Sequence, residues 1–163
     1  AEGSAGLARA RVGRCRLFYF LPSGRFFIFG ILSDMFVDVL LVAIGAALGG
    51  VGRFLVGQLV KSAGGFPWAT FTVNVVGSLL LGFLSGWLAR PSQLSSEAVQ
   101  MIRCFAVVGV CGGFTTFSTF SNETFRLLEG AQWSLALLYA VVSLLAGLAA
   151  VFLGSILSFR VDA

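Results

Sequence analysis

Histidine is absent from this 163-residue chain, and only 11% of the residues are charged while 58% are hydrophobic. The missing imidazole removes the commonest general base, the usual activator of a serine or cysteine nucleophile, and the commonest metal ligand. The scarcity of charge is incompatible with a soluble domain of this size. Cysteine is scarce too. Cys15, Cys104 and Cys111 show no CxxC spacing and read as small buried hydrophobes, not as redox or metal groups. No nucleophile–base pair is visible, so an enzyme is not expected. The net charge of +4 is neither large nor patterned for a phosphate backbone, which removes nucleic acid as a partner.

What the chain does have is apolar runs long enough to cross a bilayer. Four occur, at about 37–60, 67–89, 99–127 and 133–157. A helical reading is preferred, because each span must satisfy its own backbone groups in lipid. The connecting segments are short, so the expectation is one small all-α integral membrane protein of four helices, 35–163.

Residues 1–34 read differently. They carry Arg9, Arg11, Arg14, Arg16 and Arg25, and the first methionine, Met35, directly precedes the first good span. The expectation is a non-native or mis-set N-terminal extension that is poorly ordered. A targeting segment is the rival reading, but Pro22, Ser23, Gly24 and Arg25 interrupt its apolar run. From Met35 onward, one side of the membrane receives Arg90, Arg103 and Arg160 and the other Lys61 and Arg126. So small a bias lets a chain insert both ways round, and two opposed copies make an antiparallel homodimer.

The spans themselves carry polar residues in patterns. Span one has Gly45 and Gly49, a GxxxG that lets helices approach closely, and then Arg53. Arg53 either snorkels to the interface or turns inward to a structural or anion-attracting role. In span two, after Pro67 and Trp68, residues Thr70, Asn74, Ser78, Gly82 and Gly86 recur every fourth position and share a face. Asn74 either ties two helices together or offers its two amide donors to an anion. Span three contains Gly112-Gly113-Phe114-Thr115-Thr116-Phe117-Ser118-Thr119-Phe120-Ser121. Paired glycines in a span suggest a break or close packing, and irregular backbone at that depth must be buried or line a cavity. The phenylalanines either pack or turn their positive edges into an anion path. Glu123, an acid inside an apolar segment, is a functional candidate or a hydrogen-bonded structural carboxylate. Tyr139 and Ser143, one turn apart in span four, form a polar track or bond between helices. Donors and ring edges without a ring of acids suit a small anion better than a metal cation.

The Gly-Gly-Phe-Thr-Thr-Phe-Ser-Thr-Phe-Ser block, with Pro67-Trp68, Asn74 and Arg53 upstream, resembles the Fluc/CrcB family of fluoride channels from Met35 to the carboxyl terminus. The resemblance implies a fluoride-selective channel of the bacterial inner membrane that lets fluoride leave the cytoplasm and so protects against its toxicity. It implies an antiparallel, dual-topology homodimer with two pores and a third helix broken near its middle. Asn74 is then a fluoride donor, Phe117 and Phe120 are the paired aromatics, and Tyr139 and Ser143 lie on the same route. Thr116, Ser118 and Glu123 match polar positions near it. The backbone carbonyls of Gly112 and Thr115, doubled by symmetry, would hold a central structural sodium ion, with Arg53 and Gly113 as structural positions. Two departures stand out: Phe114 where a smaller aliphatic is common, and Gly147 where a hydroxyl can continue the track. Two other classes compete. A small four-helix, dual-topology multidrug exporter relies on a membrane-embedded glutamate in span one, where this chain has only Asp38, at the start. A non-transporting membrane assembly or anchor subunit has no use for donors inside its spans.

Overall fold

A computed structural model describes residues 24–60, 64–90 and 94–160. The helices are α1 (Gly24–Leu59), α2 (Trp68–Leu88), α3 (Ser96–Ile102), α4 (Gly112–Phe114), α5 (Phe117–Glu129) and α6 (Trp133–Arg160), with a π-helical stretch, Arg103–Cys111, between α3 and α4. Of the expected extension 1–34, residues 1–23 lie outside the described residues, and from Gly24 the chain is already in α1.

Four helical stretches are long and apolar enough to cross a membrane: Met35–Leu59, Trp68–Leu88, Ser96–Glu129 and Trp133–Arg160. At most 22% of an apolar 18-residue window in any of them is buried within the chain. Their remaining surface, including Phe36, Leu48 and Phe54 of α1 and Leu144 and Phe152 of α6, is exposed and apolar, which suits contact with lipid tails.

Local chemistry sets the helix ends. Gly64 and Gly65 turn the chain with φ of 64° and 77°, values that strain any residue bearing a Cβ. The turn delivers Phe66, which is buried, and then Pro67, which flanks α2 and whose carbonyl accepts from Phe71 N at 3.1 Å. Ser95 caps α3 by accepting from Ala98 N at 3.1 Å, and Glu97 sits in that first turn where the helix dipole favours an acid.

The helices associate as two pairs, each running side by side in one direction. In the first, α1 lies along the π-helical stretch and α4. A Cβ on Gly45 would stand 2.9 Å from Gly109 Cα, and one on Gly113 would stand 2.8 Å from Ala46 Cα. The GxxxG of span one is therefore a backbone-to-backbone contact. In the second pair, α2 lies along α6 with matched positions: Ser78 beside Gly147, Gly82 against Val151, and Gly86 against Ser155 and Ser158. At the far end Arg90 Nη2 donates to Ser158 Oγ at 3.3 Å while its guanidinium lies 4.7 Å from the Phe159 ring centroid.

The third span is interrupted, but not at its glycines. Gly112 (φ −64°, ψ −38°) is helical, and α4 continues through Gly113 and Phe114. The backbone leaves the helix at Thr115 (φ −80°, ψ 159°) and Thr116 (φ −152°, ψ 115°). Gly113 serves close packing, not the break. Wide i→i+5 winding upstream of the interruption also places residues at angles that an α-helical count misses.

Candidate functional site

Two extended residues in mid-span leave backbone groups that a helix would have satisfied. Side chains from α1 and α2 take them up. Asn74 Nδ2 donates to Thr116 O at 3.1 Å, and Asn74 Oδ1 accepts from Thr116 N at 2.8 Å. Only this orientation of the amide satisfies both bonds, so the network fixes it. Arg53 Nη1 donates to Thr115 O at 3.2 Å, which settles its direction: it turns inward. Thr116, 6% exposed, is the N-cap of α5; its hydroxyl accepts from Thr119 N at 3.2 Å and donates to Thr119 Oγ1 at 2.9 Å. Ser118 Oγ lies 3.3 Å from Thr116 Oγ1 on the exposed side of α5.

Space for the extended segment comes from glycine. A Cβ on Gly77 would collide with the Thr115 methyl and stand 3.3 Å from the Phe114 ring, and one on Gly52 would stand 3.4 Å from the same ring. Phe114 is thus accommodated by a glycine on α1 and another on α2. That accounts for an aromatic at a position where a smaller side chain was the expectation.

Glu123 accepts from two donors. Thr70 Oγ1 and Tyr139 OH each donate to it at 2.8 Å, one to each oxygen. Tyr139 is fully buried; its ring meets Phe66 edge-on at 5.2 Å and Phe120 at 5.1 Å. This cluster lies against a cavity of about 650 Å³ lined by Arg53, Thr70, Thr116, Thr119 and Glu123 among others. One cationic and one anionic side chain, with hydroxyls between them, face that space.

The expected site residues do not all converge within the chain. Asn74, Thr116, Phe120, Glu123 and Tyr139 do. Phe117 touches Phe120, with centroids 5.8 Å apart, yet is 79% exposed. Gly112 and Ser118 are exposed as well. Ser143 has a buried hydroxyl with no hydrogen-bond partner. The expectation that Asn74 offers two donors is corrected, since one amide hydrogen is committed to Thr116 O. Residues not singled out beforehand as site residues are Thr70, which holds Glu123, and Gly77, which admits Thr115. Their every-fourth-residue spacing with Asn74 was the signal for Thr70; Gly77 lies off that stripe and carried none. Among the described residues no cluster of three or more acidic, histidine or cysteine side chains could hold a metal ion.

A four-helix, multi-pass membrane protein with a polar site at an interrupted third span is a narrow class. The family model described as "CrcB-like protein, Camphor Resistance (CrcB)" matches residues 40–155, and the chain belongs to this family. It is 50% identical over 117 residues to the fluoride-specific ion channel FluC of Novosphingobium aromaticivorans, an alignment covering 69% of this chain and 89% of that one. It is 44% identical over 127 residues to FluC of Caulobacter vibrioides, covering 77% and 98%. With FluC of Thermus thermophilus the identity is 50% over 117 residues, covering 71% and 90%.

Proposed function

We propose that this chain is the subunit of a fluoride-selective channel, assembled as an antiparallel, dual-topology homodimer, through which fluoride leaves the cytoplasm down its electrochemical gradient. The observation that carries the reading is the Asn74–Thr116 pairing. It presents an amide with one uncommitted N–H beside an interrupted span, one turn along α2 from Thr70, which shares Glu123 with Tyr139. Fluoride is strongly hydrated, so a conducting path must replace its water with close donors while holding it weakly enough to release it. Asn74 and Ser143 supply an N–H and an O–H group, Tyr139 having given its one O–H to Glu123, and Phe117 and Phe120 supply ring edges, whose positive rim favours an anion. Arg53, at the cavity lined by Thr116 and Glu123, raises the local anion concentration. The relatives' names support fluoride as the ion. Counted from Met35 onward, the near-balanced loop charges support insertion in both orientations. The exposed Phe117, Ser118 and Gly112 form the surface that a second copy covers in this reading.

A sodium ion at the dimer centre belongs to the same proposal. Thr116 N–H, which a continuous helix would send to Gly112 O, goes to Asn74 instead, and Thr115 O is turned out of the helix. Two carbonyls per chain are hard oxygen ligands of the kind a sodium ion takes, although Thr115 O already accepts from Arg53. Bound there, the ion would supply fixed positive charge.

Efflux of fluoride from loaded liposomes, compared with chloride under the same gradient, tests the function. Fluoride flux far above chloride flux is the expected result. Equal flux of both ions, or none of either, overturns it.

A further inference from the structure

The α2–α6 contact sets Ser78, so far without a role, near Ser143. Along α2, Thr70, Asn74 and Ser78 are successive turns of one face; along α6, Tyr139, Ser143 and Gly147 are too. The two rows are in step. Thr70 and Tyr139 meet at Glu123, and one built Cβ on Gly147 would stand 3.7 Å from Ser78 Oγ. Asn74 therefore lies level with Ser143, and Ser78 level with Gly147. The Ser143 hydroxyl is buried and has no partner. A buried hydroxyl left unpaired in a native structure points to a ligand or water that completes it. Next to it, Gly147 presents bare backbone, and the nearest side-chain atom to that opening is Ser78 Oγ, from the neighbouring helix.

We propose that Ser78 is a further fluoride-binding residue. Resting on the channel reading above, its hydroxyl and that of Ser143 form an anion subsite across the α2–α6 contact, one turn beyond Asn74. In this chain the donor that α6 lacks at Gly147 is supplied from α2. A hydroxyl is the appropriate group there, since it rotates to donate to an anion without adding fixed charge that would trap it.

The test is fluoride efflux from liposomes for the wild type, Ser78→Ala, and Ser78→Ala combined with either Gly147→Ser or Gly147→Ala. At 3.7 Å an added Cβ makes ordinary van der Waals contact, so both glycine replacements fit. Loss of one hydrogen bond to a charged ion predicts a fall of about tenfold or more in Ser78→Ala. Gly147→Ser restores the hydroxyl from the opposite helix and should bring flux back to within about threefold of wild type, on the same relation of barrier to rate. Gly147→Ala should not. A purely packing role for Ser78 predicts that the two glycine replacements behave alike, and that result overturns the proposal. So does wild-type flux in Ser78→Ala. Ser78→Cys, nearly the same size with a much weaker donor, gives a second reading of the same loss. Failure of the wild type itself to pass fluoride overturns the channel reading, a different outcome from wild-type conduction with an indifferent Ser78.

Discussion

Replacing Asn74 with alanine separates two roles that its amide performs together. The first is structural. Thr116 is 6% exposed, and both of its backbone groups bond to Asn74, at 3.1 and 2.8 Å. Truncation leaves a buried N–H and a buried C=O unpaired, each costing about 1–3 kcal/mol, so the destabilisation is about 2–6 kcal/mol if no water enters. The second role is donation to the anion by the remaining amide hydrogen. Its loss, at about 1.5–3 kcal/mol for a bond to a charged partner, slows flux by about ten- to a hundredfold if it falls wholly on the barrier. Asn74→Asp divides the two. Aspartate retains an acceptor for Thr116 N–H but loses the donor to Thr116 O and places negative charge in the anion path. It should therefore retain more stability than the alanine variant while conducting no better. The assays are thermal unfolding in detergent and fluoride efflux from liposomes at matched protein incorporation. An Asn74→Ala protein with both wild-type stability and wild-type flux would refute the reasoning, because neither the clamp nor the donor would then matter.

Three further outcomes are expected. Tyr139→Phe keeps the ring contacts with Phe66 and Phe120 but strips one donor from Glu123, costing about 1–3 kcal/mol and lowering flux; calorimetry and efflux check both, and an unchanged unfolding transition contradicts the assigned bond. Gly113→Val forces the backbones of α4 and α1 apart at Ala46, and a cost above about 1–3 kcal/mol should appear as loss of a monodisperse gel-filtration peak; normal assembly argues against the contact. In a chain beginning at Met35, cysteine labelling of the carboxyl terminus in intact and permeabilised cells should find it on both sides of the membrane in comparable amounts, and a single orientation rules out dual topology.

The membrane spans were legible because length and apolarity are local properties. The span ends at Leu59, Leu88 and Glu129 fall within a few residues of those expected. The polar face of α2 was legible for the same reason, since every fourth residue of a regular helix lines up. The interruption was legible in kind and, at Thr115, in part of its place, but not at the glycines. Gly112 and Gly113 attract attention as helix breakers, whereas Gly113 is needed for its missing side chain against Ala46, and the chain leaves the helix at two threonines. A better local signal was present: Thr116 is a residue type favoured at a helix N-cap. What no local pattern held was the pairing across 42 residues that joins Asn74 to Thr116, or the convergence of Thr70 and Tyr139 on Glu123. Those depend on how the two helix pairs sit against each other. The π-helical winding of 103–111 also defeats any count based on a 3.6-residue turn.

The bond pair between Asn74 and Thr116 imitates a rung of β-sheet. A primary amide has the same N–H and C=O as a peptide group, and it exchanges both bonds with one extended residue, as two residues do in an antiparallel ladder. The extended segment thus has a sheet partner one side chain long, embedded in an all-helical protein. Because the rung is made with main chain, it is blind to the side chain at 116. Sequence drift there can alter the cap of α5 while the rung persists. Two kinds of change break it. One is proline at 116, which has no N–H to give. The other is a residue at 74 with no amide in register, whether alanine, which has none, or glutamine, whose extra methylene moves it.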